Sequence, residues 1–103
     1  MTKPYKTDQE KWNKFPPGVQ LKHIAAELSR ATQASLRGNN DLEKSAYERA
    51  ISLIDASIED SQWQDKSMLY RLRDAVAALY AEKTNPAVGN FIFFKVMEDA
   101  EIK

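Results

Sequence analysis

At 103 residues the chain is the size of one domain, and such a chain can bury a single core without metals or disulfides. Hydrophobic residues make up 43% and charged residues 29%, with only three glycines and four prolines, which is a globular composition and not a disordered one. Fifteen basic residues balance fifteen acidic ones, which argues against a nucleic-acid binder, and the absence of cysteine excludes disulfides, thiolate metal sites and a cysteine nucleophile.

The first residues, 1–15, read as a polar arm, made modestly basic by Lys3, Lys6, Lys11 and Lys14. They carry no apolar segment of a secretory leader, and no apolar run in the chain approaches the roughly 20 residues needed to span a bilayer. A cytoplasmic protein without a membrane role is the expectation. Thr7 and Glu10 have capping-box spacing for a short helical turn. Trp12 and Phe15 are placed to staple the arm onto the body.

Pro16-Pro17-Gly18 opens the body of the protein, residues 16–103, read as a single helical domain. A first long helix is predicted from Val19 to Leu36, with Leu21, Ile24, Leu28 and Ala31 spaced as one apolar stripe. Gly38 sits where a left-handed cap belongs, and Asn39, Asn40 or Asp41 can cap the next helix. That second helix runs to about Glu59, with Leu42, Ala46, Ala50, Leu53, Ile54, Ser57 and Ile58 inward. Glu48, Ser52, Asp55 and Glu59 form an opposite, solvated acidic face.

Ser61 or Asp65 is the expected cap of a third helix from Lys66 to Tyr80, with Met68, Leu69, Leu72, Ala75, Val76 and Leu79 inward. Asn85 as cap with Pro86 at the first helical position begins the last segment. Val88, Phe91, Ile92 and Val96 have helical spacing there. "NFIFFKV" could also be a strand, but a lone strand has no partner, so helix is favoured. The expected fold is an all-α, antiparallel up-down bundle of three long helices plus a shorter C-terminal fourth. "AYERAISL" has the texture of half a tetratricopeptide repeat, but no second copy follows at the required period.

Candidate chemistry is sparse. His23 and Glu27 are four residues apart and Arg30 follows on the same edge. One reading is a polar groove in which Glu27 orients His23 and Arg30 holds an anion; the blander and favoured one is a surface ion-pair ladder. A second polar line, Arg71, Arg73 and Asp74 with Arg49 and Asp55, could make Arg49 and Arg73 part of an anion-binding groove; the favoured reading is that Arg73 and Asp74 pair across helices with Glu27 or Asp55 to fix register. One histidine cannot supply a zinc site, no catalytic constellation or phosphate loop is visible, and no cofactor is called for. Trp12, Phe15, Trp63, Phe93 and Phe94 are candidates for a self-association surface, the alternative being that each fills the core.

"WNKFPPGVQLKHIAAELSRA" followed by "RGNNDLEKSAYERAISLIDASIED" resembles a family of small prokaryotic all-helical proteins, themselves similar to HEPN-type four-helix bundles. Trp12, Gln20-Leu21, Glu27, Arg30-Ala31, Gly38-Asn39, Glu48-Arg49-Ala50, Leu53 and Asp55 carry the resemblance, and "LYRLRDAV" extends it to residue 80. The segment "GNFIFFKVMEDAEIK" departs from it. HEPN ribonucleases carry an arginine followed within a few residues by histidine. Here no histidine follows any arginine, so the resemblance implies a non-catalytic relative. The expected function is a non-catalytic interaction protein, a homodimer or the partner of another protein. The alternatives are an RNA- or nucleotide-directed enzyme or binder at His23, Glu27 and Arg30, and a carrier with an internal cavity.

Overall fold

The computed structural model describes residues 6–81 and 86–102, and every regular element among them is a helix. A short turn, α1 (Gln9–Trp12), is followed by α2 (Pro17–Leu36), α3 (Asn40–Glu59), α4 (Ser67–Ala81) and α5 (Pro86–Ile102).

Asp8, not Thr7, caps α1: its carboxylate accepts from the Lys11 backbone N–H at 3.3 Å. The Thr7 hydroxyl is engaged elsewhere, 2.7 Å from the Ser52 hydroxyl on α3, so the capping box gives way to a tertiary contact. The described part of the arm lies on the body, with Trp12 buried. At α2, Pro17 occupies the first turn behind an extended Pro16. A proline loses nothing there, because its missing N–H would have no helical partner.

The α2–α3 turn is a Schellman motif. Gly38 adopts φ +71°, its N–H donates to Ser35 O at 3.0 Å, and Asn39 N–H donates to Ala34 O at 2.9 Å. Asn39 then caps α3, its side-chain oxygen accepting from Leu42 N–H at 3.1 Å. One residue closes one helix and opens the next, which is why the connection is so short. Leu42 was expected inward, yet it stays 55% exposed, in the first turn of α3 beside this corner. At the start of α4, Asp65 accepts from both the backbone N–H and the hydroxyl of Ser67, at 2.9 and 2.7 Å. Asn85, the expected cap of the last helix, lies outside the described residues.

The strand alternative for "NFIFFKV" is overturned, since those residues sit inside one continuous helix. Nor is that helix the shortest of the four: α5 has 17 residues and α4 has 15.

Helix α2 packs along α3 on one side and α5 on the other, and α4 packs along α3. Arg73 of α4 meets Asp55 of α3, and Tyr80 meets Glu48, so residue numbers fall along one helix as they rise along the other. Leu21, Ile24 and Leu28 of α2, Ile54 of α3, Leu69 and Val76 of α4, and Val96 of α5 share the core, all nearly inaccessible to solvent. Each large aliphatic side chain so buried contributes about 1.5–3 kcal/mol. Between α2 and α5 the approach is close at Gly89, where a Cβ would stand 2.8 Å from the Thr32 hydroxyl oxygen.

Candidate functional site

Of the residues read as a polar groove, Glu27, Arg30 and Arg49 come together, while His23 and Arg73 stand apart. Both carboxylate oxygens of Glu27 are held by arginines, one by Arg30 a turn later and the other by Arg49 from α3. Glu27 is 7% exposed, so this is an α2–α3 clamp sunk into the surface, not an open ladder. His23 takes no part in it. Its imidazole lies against Phe15, ring centroids 4.9 Å apart, and against Trp12 at 5.8 Å. Arg73 pairs with Asp55 on another seam of the molecule, and that hydrogen bond, followed by the aspartate's charge, raises its pKa. The groove reading needed Glu27 to orient His23. The three-dimensional arrangement gives Glu27 to Arg49 instead.

The five aromatic candidates separate into two groups. Trp12 and Trp63 are 5% exposed and belong to the protein's own core. Both indole N–H groups are satisfied there, Trp12 donating to Ser57 Oγ at 3.0 Å and Trp63 to Gln20 Oε1 at 2.8 Å. Phe15 is partly covered by Trp12 and His23. Phe93 is half-buried, edge-on to Phe94, with centroids 5.3 Å apart. Phe94 is 64% exposed, and Phe91, read from the sequence as part of the apolar stripe with Val88, Ile92 and Val96 and not as a surface candidate, is 65% exposed.

Gln20, Ser57 and Asp60 were not read together from the sequence, yet among the described residues they form a densely connected polar cluster. Gln20 is fully buried; its carbonyl accepts from Ser57 and Trp63, both at 2.8 Å, and its amide donates to Asp60 Oδ2 at 2.6 Å. The same amide reaches Phe15 O at 3.0 Å and Trp12 O at 3.2 Å, tying the arm to the interior. Burial by itself would push the Asp60 pKa up. Hydrogen bonds from the Gln62 backbone and from the Gln20 and Gln62 side chains, with the Lys66 charge, outweigh it and leave the pKa below its ordinary value. The cluster holds no exposed nucleophile or open face, and it acts as a structural lock.

Several open grooves mark the described surface; a smaller one, of about 320 Å³, is lined by Glu27 and Arg49 with Lys6, Thr7, Ser52 and Leu53, and two of the larger ones flank the bundle. One, of about 540 Å³, runs over the acidic face of α3, with Lys6, Thr7 and Gln9 on one side and Tyr80 on the other. That face is therefore partly roofed and not simply solvated. Tyr80 donates to Glu48 at 3.3 Å, and the nearby carboxylate raises the Tyr80 pKa, with a lesser contribution from burial. The second groove, about 510 Å³, lies between α4 and α5, where Met68, Leu72 and Ala75 face Phe91, Ile92 and Val96. Tyr47 is buried, and that burial, then Glu43, raises its pKa. Among the described residues no group of three histidine or acidic side chains is placed to hold a metal ion. No described helix is long and apolar enough to cross a membrane.

Helix α5 differs from the others. Val96 and Ala100 face the core, while Val88, Phe91, Phe94 and Ile102 are 44–83% exposed. It is apolar on both sides, whereas a helix that only covers a core needs one apolar stripe. Comparison with known protein families, curated proteins and solved structures gives no match.

Proposed function

We propose that this chain is a non-catalytic interaction protein, an up-down helical bundle that works by presenting the outer face of α5 to another protein surface. The observation that carries this reading is the exposure of Phe91, Phe94 and Ile102 on a helix whose opposite face already fills the core. Contiguous exposed apolar side chains of this kind mark contact sites, and aromatic residues dominate the energetics of such sites. A cytoplasmic setting and a kinship with non-catalytic HEPN-type bundles are part of the proposal. They are supported by the lack of cysteine, the all-helical architecture and the lack of any histidine after an arginine.

The RNA- or nucleotide-directed alternative at His23, Glu27 and Arg30 draws no comparable support, because Glu27 is saturated by two arginines and His23 packs on Phe15. The test is sedimentation over a wide concentration range, with pull-down in parallel, comparing the wild type with Phe91→Ser/Phe94→Ser. The expected result is association that the double variant loses while its helicity and melting temperature are kept. A wild type that stays monomeric and captures nothing in a Phe91-dependent way overturns the reading.

A further inference from the structure

We infer that the occupant of the α5 face is a second copy of the same chain. The two α5 helices run in opposite directions about a two-fold axis passing between Val96 and Met97, so that Lys95 of each copy sits on Glu98 of the other. The inference rests on the reading of α5 as a contact surface and adds the partner and the register.

Phe91, Phe94, Lys95, Glu98 and Ile102 recur at three- and four-residue steps, so they share one side of the helix. All five are exposed, and Val96 and Ala100 on the other side are buried. The exposed stripe thus has phenylalanines at one end, an isoleucine at the other, and one cation and one anion between them. A two-fold contact places the same patch on both copies, so the patch must complement itself. With the axis between residues 96 and 97, Lys95 lies across from Glu98 and Phe91 across from Ile102, each pair occurring twice.

Other arrangements match worse. A parallel pair sets Lys95 beside Lys95 and Glu98 beside Glu98. Sliding the antiparallel pair by three residues, about one turn, sets Glu98 against Glu98 in one direction and Lys95 against Lys95 in the other, placing like charges opposite each other. Within one chain Lys95 and Glu98 are 3.8 Å apart and largely exposed, a contact loose enough to re-form across an interface. A net charge of zero removes long-range repulsion between copies. A face one helix wide and about 25 Å long falls at the low end of interface size.

The experiment is a charge swap read by sedimentation equilibrium on the full chain, with circular dichroism confirming helicity. Lys95→Glu alone and Glu98→Lys alone each weaken self-association by about tenfold. Mixing the two single variants in equal amounts restores dimers, because each supplies the charge the other lacks, and the combined K95E/E98K chain associates like the wild type. Single variants that dimerise like the wild type, or a mixture that does not recover, overturn the register. If Phe91→Ser/Phe94→Ser abolishes association while the charge variants change nothing, this pairing is wrong and the α5 face remains the contact surface. A wild type that never dimerises but binds another protein through Phe91 likewise overturns the second-copy assignment and leaves that surface standing.

Discussion

Gln20 on α2 donates to Asp60 at the end of α3 across 2.6 Å, and both side chains are all but sealed from solvent. Forty residues apart in sequence, they form the centre of a cluster that also holds both tryptophans.

Replacing Gln20 with alanine leaves Trp63 Nε1–H without its acceptor and removes a donor from Asp60. Buried polar groups left unpaired are the expensive outcome of such a change. Gln20→Ala is expected to lower unfolding free energy by about 2–4 kcal/mol in urea melts, with a red-shifted tryptophan emission. A loss below about 1 kcal/mol would show that the cluster does not hold the arm in place.

Asp60 also sets a pH dependence. Its folded pKa lies below the ordinary 3.8, so its contribution is fully present above about that pH and is lost as pH falls through the lower, folded value. Melting temperature should therefore fall on acidification below about pH 4, and Asp60→Asn should flatten that part of the profile. An unchanged acid limb in the variant would assign the effect to other carboxylates.

The Glu27 clamp predicts an order. Glu27→Ala takes from Arg49, which is only partly exposed, the carboxylate of the clamp, whereas Arg30→Ala removes the partner that is already mostly in water. Expected losses are about 2–3 kcal/mol for Glu27→Ala, less for Arg49→Ala, and under about 1 kcal/mol for Arg30→Ala. Thermal unfolding of the three variants checks the order.

At the α2–α5 contact, Thr32 Oγ1 is buried with no hydrogen-bond partner among the described residues, and a Cβ on Gly89 would stand 2.8 Å from it. Gly89→Ala should lower the melting temperature despite a helix-propensity gain of about 1 kcal/mol. In a Thr32→Ala background the same change should raise it, since the obstructing oxygen is gone. Additive effects in the double-mutant cycle would mean that the two residues do not share the contact.

The helices themselves were legible because their signals are local. Gly38 and Asn39 mark the first corner, Pro17 and Pro86 stand at helix starts, and the three- and four-residue apolar spacing of Leu21, Ile24 and Leu28 finds the buried side of α2. The candidate site was much less legible. His23 and Glu27 have the spacing of a pair, but spacing cannot register Arg49 arriving from the next helix. Trp12 and Trp63 are large aromatics near chain corners, and only the position of Ser57 and Gln20 shows that their N–H groups have somewhere to go inside. Phe93 and Phe94 were read from the apolar run, yet that Phe94 points outward while Phe93 is half-buried depends on how α5 rolls against α2.

By itself the sequence determined an all-helical chain, its turns, and most of the residues that face inward, because caps and amphipathic periodicity act over a few residues. Tertiary structure alone decided that Glu27 belongs to two arginines, that Gln20 joins the arm to the end of α3, and that α5 leaves an apolar face in water. Those outcomes depend on which helices become neighbours, and neighbours are chosen by shared burial across the whole chain.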